Sequence, residues 1–568
     1  MKNSFMVLSF MAGLSGNILA QQLPQQADAG SLRQQIESLR YFDLPQRLRP
    51  DSGAPSTPIA KQPLKGPALS IQRFRFSGNT RLTQQDFEPL IAQFSNQPLD
   101  LALLRDVLAP QVAELYRSKG WVVNVSLQEP FSLQDEEAVF NIIEARLGQI
   151  VFEGPAPLRV SKDLVLNIFQ SQLAGQERLN NLQLDRALLL AGDLPGVFVG
   201  TRQRAGQELG STDLVVTTQD KAAYAGDITL DNSGSRSTGE NRLAANLEWR
   251  SPSGRADLLS TALVHTEGSD YGRLGYSIPV GLDGLRLGTN LSQLHYNVVS
   301  PEFKSQGIQG RSGSTGIDLN YPLVRARDRN LYVNATYDHK SFDNKTKAAG
   351  TTSNYAVNNA SIGLNGNQFD DWNGGGATTA SLTVVRGHVD LDGSPNKADD
   401  RKTANTQGVF RKLRYSVSRQ QNLSGTVSLN ASYTGQIADK NLDGSEKMYL
   451  GGASGVRAYP SSEAGGSDGQ MLNMAVKTRL PDGFEWTVFY DWGRVQQYHT
   501  PYTSSPTKNM LSLSGRGTAL AWRNNQGLTL QATYAHRDGG NPYPTSTGKD
   551  QDGTLMVDRF WFSASYAF

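Results

Sequence analysis

The chain of 568 residues contains no cysteine. That excludes a disulfide framework, a thiolate metal site and a cysteine nucleophile. It also suits a chain that crosses an oxidising periplasm before it folds. Long hydrophobic runs are lacking as well. Hydrophobic residues make up only 38%, and beyond the N-terminus no apolar stretch reaches the roughly 18–20 residues that a membrane helix needs. This argues against a helical membrane protein. A β-barrel stays open, because alternating strands hide their lipid face from hydropathy averages. The formal net charge is +2, too small for a nucleic-acid-binding field. The six histidines (His265, His295, His339, His388, His499, His536) are scattered without ligand spacing. There is no phosphate-binding or ATP-binding motif. The stretch Asp390-Leu391-Asp392-Gly393 looks like a calcium loop, but Pro395 stands where such a loop requires Gly and no Glu closes it. It reads as a solvated loop tip. An enzyme is therefore not expected, nor a cofactor, metal or nucleic-acid partner.

The first 20 residues have the form of a secretory signal. Lys2 supplies positive charge, residues 5–14 an apolar core, and Ala20 the residue before cleavage. Ile18 is larger than the small residue usual at that place. Residues 21–30 are Gln-rich. Residues 31–41 read as an amphipathic helix, with Leu32, Ile36 and Leu39 on one face and a capping box from Ser31 to Gln34. Recurrent prolines over 45–67 argue for an extended linker. A helix this short on such a tether needs a docking partner, which can be a neighbouring domain or a pore that it plugs.

Residues 69–148 read as β-α-α-β-β, and 149–220 repeat that order with little identity between the copies. From residue 221 onward the helical period disappears. Segments of about 9–12 residues alternate apolar and polar, as membrane β-strands do. In one, Leu528, Leu530, Ala532 and Tyr534 face one way and Thr529, Gln531 and Thr533 the other. Leu423 to Tyr433 and Leu331 to Tyr337 alternate in the same way. Short connections (251–254, 281–284, 325–329, 419–424, 481–483, 523–527) alternate with long ones (around 268, then 296–310, 340–353, 387–404, 437–469, 495–510, 537–554). Outer-membrane barrels have short periplasmic turns and long extracellular loops. The pattern gives sixteen antiparallel strands, so both barrel ends lie on the periplasmic side, with the N-terminal modules beside them.

Parity then assigns side chains within residues 484–493. Phe484, Trp486, Val488, Tyr490 and Trp492 form the lipid face, so Phe489, Asp491 and Gly493 point into the lumen. Asp491 needs a cation able to reach across the interior, and the long Gly-rich loop 437–469 carries Arg457. An ordinary solvated pore-lining charge is the alternative reading of Arg457.

Several ordered motifs resemble a known family. Phe76-Ser77-Gly78-Asn79-Thr80 and Tyr116-Arg117-Ser118-Lys119-Gly120-Trp121 are similar to a transporter-type POTRA domain, and the second copy looks like another. Asp231-Asn232-Ser233-Gly234 with Thr238-Gly239 and Arg242 looks like the first barrel hairpin of TpsB-type two-partner secretion transporters, the ShlB/FhaC/HecB-like group. Gly451-Gly452 and Val456-Arg457-Ala458-Tyr459 resemble that superfamily's loop motif, and Phe489-Tyr490-Asp491-Trp492-Gly493 its Phe-x-Asp-x-Gly strand motif. The resemblance spans 69–568. It implies an all-β transmembrane barrel of 16 strands with two N-terminal α+β POTRA domains at 69–148 and 149–220. It further implies that loop 437–469 folds back into the pore, with Arg457 pairing Asp491 while Tyr459 and Phe489 pack nearby. The motif normally has Gly at Ala458. If that residue needs positive φ, Ala costs roughly 1 kcal/mol; if it needs only close packing, Ala fits.

The function implied is an outer-membrane pore that takes an unfolded exoprotein from the periplasm to the cell surface. The POTRA pair would bind the cargo, a large β-helical TpsA-like adhesin, haemolysin or iron-acquisition protein. Phe568, ending an alternating aromatic strand, resembles the signal read by the barrel-assembly machinery. A monomer embedded in outer-membrane lipid is expected. An insertase of the same superfamily is the alternative, and a passive porin or solute receptor the alternative of another class.

Overall fold

The computed structural model describes residues 28–38, 69, 71–94, 98–128, 137–208, 210–545 and 547–568. The secretory-signal reading, the Pro-rich linker and Leu39 lie outside the described residues.

In the first module the strands Arg73–Ser77, Glu137–Glu144 and Val123–Leu127 form a sheet with Glu137–Glu144 central, parallel to the first and antiparallel to the third. Thr83 and Asp86 form a capping box that starts the helix Gln84–Ile91. A second helical run, Leu101–Leu103 continuing to Ala109–Ser118 through a π turn, is capped by Asp100, which accepts from Leu103 N at 2.7 Å. It ends at Gly120, whose φ of 87° is open to glycine at no steric cost. Phe76, Phe87, Tyr116 and Phe140 fill the core, with Phe76 and Phe87 stacked at 4.2 Å. The second module repeats the sheet with Arg146–Phe152, Ser211–Asp220 and Val197–Ala205, the middle one central, and packs the helices Lys162–Gln172 and Asn181–Gly192 against it.

Glu144 ties the two sequence motifs of the first module together. Its carboxylate, in a residue 5% exposed, accepts from the Thr80 hydroxyl, from Thr80 N at 2.7 Å, Arg81 N at 2.8 Å and the Tyr116 hydroxyl at 3.1 Å. Arg178 of the second module approaches it at 3.5 Å. Burial alone would raise the Glu144 pKa, but these donors outweigh it and hold the carboxyl below its ordinary value. Stability from this group is therefore present above the ordinary carboxylate range and is lost as pH falls through the depressed folded-state pKa. Glu144→Ala is expected to cost the first module about 2–3 kcal/mol, since four donors lose their acceptor. Amide hydrogen exchange over 71–128 of the whole protein checks this: protection should drop in the variant, and its acid-dependent component should disappear.

Sixteen antiparallel strands close into a barrel, from Tyr224–Asp231 to Asp558–Ala567. The last strand pairs with the first over Ser563↔Asp231 to Ala567↔Asp227, and Phe568 exchanges two backbone hydrogen bonds with Gly226. The period-2 pattern sets the faces: in the strand Phe484–Gln496, Phe484, Trp486, Val488 and Tyr490 are exposed while Thr487, Phe489 and Asp491 are buried. Seven connections at the periplasmic end are short.

Four connections differ from the sequence expectation. The one around Gly268, expected to be long, is a two-residue turn at 267–268, because Leu258–Thr266 and Ser269–Pro279 stay paired out to Thr266↔Ser269. Residues 340–353 are mostly strand, because Arg329–Thr346 and Thr351–Asp370 stay paired out to Thr346↔Thr351. A short turn at 371–375, with Gly375 at φ 84°, separates Thr351–Asp370 from Gly376–Asp390 and was not expected. Arg419 to Asn422 belong to the strand Gly408–Asn422, and the turn occupies 423–426, so Leu423 precedes the next strand, Val427–Ala438.

The second module is docked on the periplasmic turns. Arg325 grips the Asp193 carboxylate with two bonds of 2.8 Å, Arg327 meets Asp185 at 2.7 Å, and the Ser251 hydroxyl donates to Arg159 O at 2.6 Å.

Candidate functional site

The loop between Val427–Ala438 and Asp468–Arg479 returns into the barrel. Its neck is a two-residue pairing of Met448–Tyr449 with Gly465–Gly466. Beyond it the chain makes a tight knot. Val456 N donates to Leu450 O at 2.7 Å, and Leu450 and Gly451 N both donate to Glu463 O. The two glycines are required there: a Cβ on Gly451 would stand 2.2 Å from Pro460 O, and Gly452 has φ 120°. Leu450, Val456, Ala458 and Tyr459 are buried against Phe489, Val495, Leu511, Leu513 and Ala535 on the inner wall. Gly493 leaves the space that Leu450 fills, since its Cβ would fall 2.7 Å from Leu450 Cδ2.

This knot presents Arg457 to Asp491. Arg457 Nη2 donates to Oδ1 at 2.7 Å, Nε to Oδ2 at 2.8 Å, and the Arg457 backbone N to Oδ2 at 3.1 Å. The guanidinium lies 3.3 Å above the Phe489 ring, a cation–π contact. Asn473 completes the site: its amide donates to Asp491 Oδ1 at 2.8 Å and to Gly455 O at 2.9 Å. Asp491 is 0% exposed. The pair is therefore of the buried kind, where removing one partner strands a charge and costs about 3–5 kcal/mol.

Tyr459 lies in the same buried cluster as Phe489. Its ring lies under Arg537, 4.3 Å away, and Arg537 in turn pairs with Asp550 at 2.6 Å. Ala458 does not take a positive φ. Its Cβ occupies room left by Gly515, where an added Cβ would be 2.5 Å away. Close packing, which Ala satisfies, is what this position requires.

The N-terminal helix spans Ala29–Ser38. It begins two residues before the expected Ser31 because Asp28 is the cap, accepting from Ser31 N at 2.9 Å. The capping box between Ser31 and Gln34 is not formed; Gln34 instead bonds Lys447 O in the loop. Leu32 is buried and Ile36 partly buried among Tyr271, Leu294, Tyr296 and Phe342 of the barrel's inner wall. Arg33, 1% exposed, bonds Ser292 and Ser312 on two neighbouring strands. Helix and loop together occupy the lumen. Between them a cavity of about 470 Å³ keeps a polar lining that includes Asn365, Ser381, Thr383 and Ser416.

Two contacts of the loop lie outside the sequence expectation, although strand parity points to their wall residues. Trp561 on the last strand points inward and donates Nε1–H to Arg457 O at 2.8 Å; inside an aromatic ladder its inward parity was easily passed over. Glu446 meets Lys340 and Lys412, and the parity of those two strands would have placed both lysines in the lumen. The first-hairpin motif also has a structural meaning. Arg242 pairs with Asp231 at 2.9 Å, and Ser233 O accepts from the Ser461 hydroxyl of the loop at 3.0 Å. At the Asp390–Gly393 tip, Asp392 is held by Lys397 and Gln407.

Comparison with known proteins identifies the family of the fold. Residues 210–520 match the family described as haemolysin secretion/activation protein ShlB/FhaC/HecB, and residues 69–144 match the ShlB-type POTRA domain. The chain is 24% identical over 530 residues to the heme/hemopexin transporter protein HuxB of Haemophilus influenzae strain 86-028NP, covering 90% of this chain and 91% of that one. It is 24% identical over 419 residues to the outer membrane transporter CdiB of Dickeya dadantii, covering 72% of each. In structure it is similar to CdiB from Escherichia coli, with a TM-score of 0.64, 20% identity, and coverage of 94% of this chain and 95% of that one. The chain belongs to the ShlB/FhaC/HecB haemolysin secretion/activation family: it is an outer-membrane transporter of two-partner secretion, whose barrel carries an exoprotein to the cell surface and whose POTRA domains stand in the periplasm.

Proposed function

We propose that the POTRA pair captures the unfolded exoprotein through its N-terminal secretion domain, and that loop 437–469 and helix Ala29–Ser38 close the pore until cargo arrives. The observation that carries this is the joint occupation of the lumen by two tethered elements, one on the Arg457–Asp491 pair and one on the inner wall. Each POTRA sheet keeps two edge strands, Arg73–Ser77 with Val123–Leu127 and Arg146–Phe152 with Val197–Ala205. An extended segment of cargo adds to such an edge by main-chain hydrogen bonds. Translocation involves no enzymatic step, and folding of the cargo outside the cell supplies the drive. HuxB, a heme/hemopexin transporter, is matched over nine-tenths of this chain, so an iron-acquisition exoprotein is the cargo to test first, ahead of an adhesin or haemolysin. The protein acts as a monomer in outer-membrane lipid, placed there by assembly machinery that reads the strand ending in Phe568.

Removing residues 69–148 is expected to abolish retention of the exoprotein's secretion domain in a pull-down with detergent-solubilised protein. Undiminished retention would make the first POTRA a spacer.

A further inference from the structure

The Arg457 tip is not the loop's only charged anchorage. Earlier in the loop, Asp443 caps a single 3-10 turn, Gly444–Glu446, by accepting from Ser445 N at 2.9 Å. Glu446 is 3% exposed. Its Oε1 accepts from Lys340 Nζ at 2.9 Å and Asn359 Nδ2 at 2.7 Å, and its Oε2 lies 2.8 Å from Lys412 Nζ. Lys412 also donates to the Glu446 carbonyl at 2.8 Å. These donors come from three strands, Arg329–Thr346, Thr351–Asp370 and Gly408–Asn422. A carboxylate gripped by two ammonium groups and an amide is far more than a turn on a loop requires.

The other side of this turn supports the N-terminal helix. A Cβ on Gly30 would be 2.8 Å from Ser445 Cβ, so helix and turn are in direct contact. Gln34 bonds the carbonyl of Lys447, the next residue. The groups that surround the Arg457–Asp491 pair are Gly455, Asn473, Phe489 and Trp561, and none of them lies on the helix.

We infer that Glu446 is a positioning residue that seats the helix: it clamps the loop's first turn to the wall formed by Lys340, Asn359 and Lys412, and that turn holds the helix in the pore. Two separable latches follow. The Glu446 latch holds the helix; the Arg457 latch holds the loop tip. The inference rests on reading helix and loop as the elements that close the pore. Releasing the first latch unseats the helix and bares Lys340 and Lys412 to the lumen, while the tip stays on Asp491.

The test uses Glu446→Gln, which keeps size and removes the charge, in the full chain reconstituted in planar bilayers. Time spent in conducting states should rise at least about tenfold, a shift of ~1.4 kcal/mol. Because the chain has no cysteine, Gln35→Cys reports the helix position, and its thiol labelling should accelerate in parallel. In a chain lacking 22–38, Glu446→Gln should add nothing to the conductance. A second variant, Lys340→Met with Lys412→Met and Glu446→Met, removes all the charges together, so no lone buried charge compromises folding. It should behave like Glu446→Gln. Labelling and currents equal to wild type in both variants would overturn the inference. So would an equal conductance rise in the chain lacking 22–38, because the latch would then act without the helix. Loss of pore closure in helix-deleted chains is a separate readout, so failure of the latch is distinguishable from failure of the closing role itself.

Discussion

Arg457→Ala is expected to reduce export of the exoprotein to background while the barrel still inserts. The barrel is built from sixteen strand pairings to which Arg457 contributes nothing. The loop depends on it heavily. Removing the guanidinium takes two charge-assisted bonds from Asp491 and the stack from Phe489, leaving a buried carboxylate with only Asn473 and one backbone N–H. At about 3–5 kcal/mol for an orphaned buried charge, and 1.4 kcal/mol per tenfold, the seated loop becomes a minority state. Trp561 loses its acceptor's position at the same time, so the seam-side wall is disturbed too. Arg457→Lys should fall between wild type and Ala, since an ammonium keeps the charge but neither the fork geometry nor the planar stack. Heat-modifiable mobility and surface protease resistance report insertion, and exoprotein in the medium reports export. Normal export by Arg457→Ala would defeat the loop's role.

Deleting residues 22–45 should raise single-channel conductance severalfold. The helix Ala29–Ser38 has 10 residues, hence about 15 Å of length at a side-chain diameter of about 10–12 Å. That is a substantial obstruction inside a barrel of this strand number. A helix so short is marginal by itself. Its order comes from the wall, through Leu32, Arg33 and the bond from Ala29 N to Asn344 Oδ1 at 2.8 Å, and from the loop turn Gly444–Glu446 that lies against Gly30. On this reading, a plug so held is expected to leave when cargo competes for the same lumen. Unchanged currents after deletion would reject the plug, leaving the loop as the element that limits flow.

The barrel was legible because its two signals are local: a period of two along each strand, and connection lengths that alternate between ends. Asp491 was legible for the same reason, since parity alone turns it inward. Arg457 was not. Nothing local distinguishes it from other loop cations, and its pairing rested on motif resemblance. The helix start was misplaced because Asp28 and Ser31 are both good caps and only the three-dimensional turn selects Asp28. The strands around 340–353 run past the expected loop because cross-strand pairing, with Arg311 beside Asp343 at 3.5 Å, persists beyond the apolar band. Glu446, Lys340 and Lys412 were invisible as a set. Each reads as a solvated charge, and only the infolded loop brings positions so distant in sequence together. Glu144 was hidden similarly: Thr80 and Tyr116 were noted within motifs, but their common acceptor lies on a different strand.

The most direct test is export of the exoprotein from cells that lack this transporter and carry either wild type or Arg457→Ala on a plasmid. The account predicts cargo trapped in the periplasm without the transporter, release restored by wild type, and continued trapping with Arg457→Ala although its barrel is present in the outer membrane. Equal export with either plasmid would contradict the gating role of the loop. Undisturbed export in the deleted cells, together with depletion of other outer-membrane barrels, would contradict the transporter and point to an insertase.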